Sequence, residues 1–250
     1  MRALILSDIH GNLEALTAVL EAAGSYDELW NLGDVVGYGG APNQVIETIR
    51  PLATLNVRGN HDRVCGGLTS SLGFNSVARA AALWTHDELT PENLAWLNAM
   101  PQGPLHPALE GVSCAHGSPL DEDQYILNVR DAWAPLQQMT TAITFFGHTH
   151  IQGGFAQHGT EWHEVHPRYR SRNDGDSWIL ELPAGTRHLI NPGSVGQPRD
   201  YDWRAAFAVY DAEESSVTFR RVPYDVTASQ GRILMAGLPE RLAARLREGR

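Results

Sequence analysis

Five times within the first 150 residues, a short apolar run stops at a glycine-flanked residue able to bind a cation. Arg2–Leu6 enters Ser7-Asp8-Ile9-His10-Gly11-Asn12, Glu28–Leu32 enters Gly33-Asp34, and Leu52–Val57 enters Arg58-Gly59-Asn60-His61-Asp62. Gly111–Ala115 and Ala142–Phe146 then enter His116-Gly117 and Gly147-His148-Thr149-His150. Between the first runs, apolar residues recur at helical spacing, first Leu13, Leu16, Val19 and Leu20, then Val45, Ile46 and Ile49. Strands that alternate with helices predict parallel pairing, and the crossovers place the strands' carboxyl ends on one edge, where ligands bind. Asp8, His10, Asp34, Asn60 and His61 are therefore expected to converge although they are dispersed in the chain.

Farther on, Phe74–Met100 reads as helical, with Thr90-Pro91-Glu92 opening a second helix. From residue 153 the short runs Trp178–Leu182, Thr186–Ile190, Ala205–Tyr210 and Val217–Val222 read as strands of a second, more antiparallel sheet. His166–Asp176, with Arg168, Arg170 and Arg172, reads as a polar loop, and residues 226–250 as a helical tail. One domain over residues 1–250 is expected, since no repeat, low-complexity tract or linker interrupts the chain.

A formal charge of -10 opposes sequence-independent binding of long nucleic acids. The opening apolar run is too short for a signal-peptide core or a membrane span, so a cytoplasmic protein with no membrane partner is expected. Cys65 and Cys114 lie far apart with no CxxC spacing, which predicts two buried free thiols rather than a disulfide or a zinc knuckle.

The five polar turns supply carboxylate, imidazole and amide without thiolate, a donor set that suits a catalytic site for manganese, iron or zinc. One carboxylate can bridge two ions roughly 3.5–4 Å apart in a binuclear hydrolase. Asp34 is the candidate bridge. Any one of these turns alone is commonly only a solvated loop; their joint order, each at a strand end, carries the reading.

The blocks Asp8-Ile9-His10-Gly11-Asn12, Gly33-Asp34-Val35-Val36-Gly37-Tyr38-Gly39, Gly59-Asn60-His61-Asp62, His116-Gly117 and Gly147-His148-Thr149-His150 resemble the calcineurin-like metallophosphoesterase superfamily. Asn191–Arg199 and Gly237–Leu242 resemble its compact bacterial and archaeal phosphodiesterase-like branch. The resemblance implies an α/β (α+β) fold, a four-layer αββα sandwich of two mixed sheets with metals at the strand ends. It implies two divalent ions, manganese first, with iron, zinc, nickel or cobalt as alternatives. Asp8, His10 and His150 would hold one, Asn60, His116 and His148 the other, and Asp34 both. His61 would face the substrate, protonated and oriented by Asp62 or another carboxylate, while water activated between the cations attacks phosphorus in line. The sequence lacks the Gly-Asp-x-x-Asp-Arg-Gly block of large Ser/Thr protein phosphatases, carrying Gly37-Tyr38 in that stretch.

A phosphodiesterase acting on a small phosphate ester is thus expected, with two rivals: a nucleotide phosphatase or pyrophosphohydrolase, and a non-catalytic scaffold. Arg199 and Tyr38 are substrate candidates, and Arg58 and Arg63 are weaker ones because local ion pairs explain them equally well. His158, His163 and His166 with Glu161 and Glu164 fit a hairpin face better than another metal site. Leu238, Leu242 and Leu246 fit packing on the protein's own sheet, with homo-oligomer contact as the alternative.

Overall fold

The computed structural model describes residues 1–250. Two mixed sheets stack face to face, and helices cover both outer faces, giving four layers. The first sheet contains β1 (Arg2–Leu6), β2 (Glu28–Asn31), β3 (Leu55–Asn56), β8 (Asp176–Glu181), β10 (Ala205–Asp211) and β11 (Ser216–Val222), in the order β3-β2-β1-β10-β11-β8. The second contains β4 (Val112–Cys114), β5 (Ile143–Phe145), β6 (Gly153–His158), β7 (Glu161–Val165) and β9 (Thr186–Asn191), in the order β4-β5-β9-β6-β7.

Successive strand side chains alternate between faces, and here both faces are apolar because both are covered. In β1, Leu4 and Leu6 join the core beneath the helices, whereas Ala3 and Ile5 point into the layer between the sheets. Trp30 of β2 fills that inter-sheet layer beside Phe145 and Tyr210, with ring centroids 6.1 and 6.3 Å away.

The helices α1 (Leu13–Ala22), α2 (Pro42–Ile49), α4 (Ser76–Glu88), α5 (Pro91–Ala99), α7 (Val226–Met235) and α8 (Glu240–Glu248) pack on the first sheet. A single helix, α6 (Val129–Gln138), covers the second with Ala132 and Leu136. Polar caps fix where helices begin: Asn12 accepts from Ala15 N at 3.1 Å, and Thr90 accepts from Asn93 N at 3.3 Å ahead of Pro91. Leu238, Leu242 and Leu246 are buried in the protein's own core, so that stripe is not open for dimer contact.

Several strands differ from the sequence reading. The runs after residue 153 do not make one separate sheet: β8, β10 and β11 join β1, while β6, β7 and β9 join β4 and β5. Hairpin patterns identify sequential neighbours but not the sheet, and Asn191-Pro192-Gly193-Ser194 carries the chain from one sheet to the other. The third run narrows to Leu55–Asn56 and helix α3 (Asn60–Cys65) has no apolar periodicity to announce it, whereas α6 does carry Val129, Ala132 and Leu136 at helical spacing, a signal the sequence reading omits. The parallel strands β1–β3 and β4, β5, β9 lie in different sheets, yet their carboxyl ends meet at one edge.

Truncating Trp30 to Ala removes the largest fully buried side chain of the inter-sheet layer. It is expected to lower the unfolding free energy by roughly 3–5 kcal/mol in a denaturant titration followed by circular dichroism.

Candidate metal centre

The loops after the strands are stitched to one another before any side chain is considered. Asp8 N donates to Gly33 O and His10 N to Asp34 O, both at 2.9 Å, while Gly147 N donates to His116 O at 2.7 Å. Across the sheets, His148 N donates to Asp8 Oδ2 at 3.1 Å. The carboxylate of Asp62 accepts from the backbone N–H groups of Asp34, Val36 and Gly59 at 2.8, 3.2 and 2.9 Å. Asp62 therefore clamps backbone and does not orient the His61 ring, contrary to the sequence expectation.

Asp8, His10, Asp34, His148 and His150 all have left-handed backbone, with φ of 54, 49, 54, 66 and 60°. Such a conformation costs non-glycine residues of order 1–3 kcal/mol each and persists only where surroundings impose it. Among the flanking glycines, Gly33 also takes positive φ, at 98°, whereas Gly59 serves close approach: a Cβ there would collide with the carboxylate and backbone N of Asp34.

Two side-chain clusters result, Asp8, His10, Asp34 and His150 on one side, and Asp34, His116 and His148 on the other, all buried. Asp34 belongs to both. Its Oδ1 accepts from His61 N at 2.8 Å, while its Oδ2, with no hydrogen-bond donor, stands 3.5 Å from His10 Nε2 and 3.4 Å from His116 Nε2. Asn60 completes the second cluster, its Oδ1 being 3.1 Å from His116 Nε2. Asp8 Oδ1, likewise without a donor, lies 3.3 Å from His150 Nε2.

Backbone carbonyls decide which imidazole nitrogen faces inward. His10 Nδ1 donates to Val36 O at 3.0 Å, His116 Nδ1 to Leu32 O at 2.9 Å, and His150 Nδ1 to Gln197 O at 2.6 Å. A carbonyl only accepts, so each ring carries a proton on Nδ1 and turns Nε2 inward. His148 is reversed: Nε2 donates to Asp123 O at 3.2 Å, leaving Nδ1 to face the cluster. Two neutral imidazoles meeting Nε2 to Nε2 at 3.2 Å, as His10 and His150 do, bring lone pair against lone pair. Together with the donorless carboxylate oxygens, this fits divalent cations, whose positive charge satisfies every inward lone pair.

The charge states agree at His10, His148 and His150, whereas His116 holds a second proton, on Nε2, that a cation would displace. Burial holds His10 and His150 well below the ordinary imidazole range and lowers His148 to about 3. Burial would also neutralise His116, but the Asp34 carboxylate beside it, with Asp8, raises it to about 10. Burial alone would raise Asp34, yet His116 and His61 draw it well below the carboxylate range. Burial lowers His61 to about 4 despite Asp34, so its ring is neutral near pH 7 rather than protonated as expected.

Around this core, the His61 ring lies 4.3 Å from Tyr38, 4.5 Å from Phe74 and 4.9 Å from His10, centroid to centroid. Arg199 Nη2 donates to Gln197 Oε1 at 3.0 Å and lies 3.5 Å from the Tyr38 hydroxyl. Arg58 and Arg63 prove to be ion-paired: Arg58 to Glu122 at 3.9 Å, and Arg63 to Glu122 and, at 2.8 Å, to Asp123. Arg63 thus braces the loop whose carbonyl fixes His148.

His158, His163 and His166 line the β6–β7 hairpin and form no metal-binding group. Cys65 and Cys114 are buried free thiols. Sequence reasoning missed Tyr125, stacked on His148 at 4.0 Å, and the four orienting carbonyls. Carbonyls belong to every residue and leave no signature.

Residues 1–215 match the calcineurin-like phosphoesterase superfamily domain. The chain belongs to this superfamily. Within it, a metallophosphoesterase from Sphaerobacter thermophilus is 40% identical, superposes with a TM-score of 0.84, and is matched over 100% of this chain and 99% of that one. An uncharacterized protein of Methanocaldococcus jannaschii is 34% identical over 98% of this chain and 97% of its own length. A hypothetical protein from Pyrococcus horikoshii shares the fold, with a TM-score of 0.78, 22% identity and coverage of 100% and 98%. The four-layer sandwich is thus a superfamily fold, and its buried Asp and His clusters suit divalent metal ions. No helix is long and apolar enough to cross a membrane.

Two outcomes follow. Asp62→Ala strands three buried backbone N–H groups and is expected to cost at least about 3 kcal/mol in a denaturant titration. Filling the centre must also displace the His116 proton wherever pH lies below its value of about 10. Metal affinity is therefore expected to rise with pH across the neutral range. Calorimetry in buffers of different ionisation enthalpy at neutral pH should show at least one proton released per protein.

Proposed function

We propose that the chain is a binuclear-metal-dependent phosphoesterase that hydrolyses a small phosphate ester, with phosphodiesters preferred. The observation that carries this reading is Asp34 Oδ2, donorless and nearly equidistant from His10 Nε2 and His116 Nε2 at 3.5 and 3.4 Å. Asp8, His10 and His150 hold one ion on this reading, Asn60, His116 and His148 the other, and Asp34 belongs to both. Manganese is the first choice. When bound, two such ions supply Lewis-acid polarisation of phosphoryl oxygens and activation of water.

The protein's own contribution is placement and charge. The Nδ1-to-carbonyl bonds lock the rings, so that no reorganisation is needed when ligand arrives. His61 is held from both ends, its backbone N–H by Asp34 and its ring by Tyr38 and Phe74. Its Nδ1 is sealed without a partner, which leaves the Nε2 edge to donate to a nonbridging phosphoryl oxygen as charge builds there. Arg199 and Tyr38 border the same opening and are assigned to substrate.

Metal-stripped protein reloaded with manganese is expected to turn over bis(p-nitrophenyl) phosphate faster than p-nitrophenyl phosphate. His61→Ala should lower kcat by about 10²–10³-fold while retaining both ions, the cost of losing one preorganised donor. Asp34→Asn should weaken ion binding and turnover together. Wild-type protein that binds metal yet hydrolyses neither ester would sink the reading.

A further inference from the structure

Beyond His61, the centre is bounded by Tyr38, and on the far side of Tyr38 the C-terminal segment walls a groove. The buried Tyr38 ring lies 4.3 Å from His61 and 4.7 Å from His10, centroid to centroid. Two guanidiniums reach the same ring: the Cζ atoms of Arg199 and Arg245 lie 5.7 and 5.9 Å from its centroid. The groove encloses about 560 Å³ and is lined by Tyr38, Asn75, Arg241, Arg245, Glu248 and Arg250. Its one acidic side chain, Glu248, is 3.8 Å from Arg250 and also acts on Arg245, so the arginines remain in excess.

This wall is built rather than incidental. Leu242 and Leu246 anchor α8 in the core, and Gly249 O accepts from Tyr201 N at 2.9 Å, two residues past Arg199. Arg245 Nε donates to Arg250 O, which orients the guanidinium while leaving its two Nη groups free. Arg199 pairs with no carboxylate, and its Nε is buried without a partner. Like charges gathered in half-buried surroundings repel unless an anion sits between them. Burial and the charge of Arg199 accordingly pull Arg245 down to about 10. In a chain of net charge -10, the gathering of arginines runs against composition.

We infer that Arg199 and Arg245, which both reach the Tyr38 ring, form an anion subsite beside the metal centre. It selects phosphate esters or anhydrides whose departing group carries a second phosphate. The inference rests on the phosphoesterase reading for its place in the reaction, but the subsite itself requires no metal. Guanidinium forks match phosphate oxygens and hold them by paired, charge-assisted hydrogen bonds.

The test is a calorimetric titration of metal-stripped protein with inorganic pyrophosphate. Affinity is expected to fall about 10- to 100-fold in Arg245→Gln, the loss expected for a hydrogen-bonded charge. Arg247→Gln serves as the control, because Arg247 turns instead to Gln230 and Thr227 at 3.1 and 2.8 Å. It should bind as wild type does. Arg241→Gln, exposed on the same groove, should give a smaller drop and decides the matter if Arg245→Gln does not fold. Equal affinity in wild type and the groove variants, or no binding by wild type, overturns the subsite. Manganese-dependent diester turnover by wild type is scored separately, and its absence removes the phosphoesterase reading without touching the pyrophosphate result.

Discussion

The Asp34 carboxylate is buried within 4.8 Å of four imidazoles, and the rest of the centre is arranged around it. One oxygen accepts from the His61 backbone, while the other stands between His10 on one side and His116 on the other. Asp62 holds its backbone N–H, and its φ of 54° is imposed by the loop. The second oxygen has no hydrogen-bond donor, and the His10 Nε2 that faces it presents a lone pair. The fold accepts that cost because the loops are stitched by backbone hydrogen bonds, and two sheets and a helix layer close over them.

The sandwich explains how residues from 8 to 150 meet. Three ligand-bearing loops leave the first sheet and two leave the second, and face-to-face stacking aligns their edges. Inter-sheet packing around Trp30, Phe145 and Tyr210 is therefore also what holds the two Asp and His clusters in register. The histidines are not all turned alike: His148 is held through Nε2 by the Asp123 carbonyl, whereas His10, His116 and His150 are held through Nδ1 by carbonyls on Val36, Leu32 and Gln197.

Legibility in the sequence divides along physical lines. Strand ends that stop at Asp8, Asp34, Asn60, His116 and His148 were readable because chemistry-bearing residues punctuate apolar runs. The partition of later strands was not, because alternation records which face is buried and not which sheet lies beneath. Asp62 looked like a partner for His61, yet in space it satisfies three amides, a role that depends on loop backbone rather than on residue type. Protonation of His61 was likewise misjudged, since burial depth is set by Phe74 and Tyr38 packing around the ring. Arg245 carried no signal at all: on a helix of ordinary amphipathic pattern, only the fold brings it to Tyr38.

The central claim is that Asp34 is shared by two cations. Anomalous scattering from crystals grown with manganese tests it most directly. The account predicts two peaks roughly 3.5–4 Å apart, one among Asp8, His10 and His150 and one among Asn60, His116 and His148, with Asp34 touching both. A single peak, or peaks that leave Asp34 uncoordinated, would contradict it.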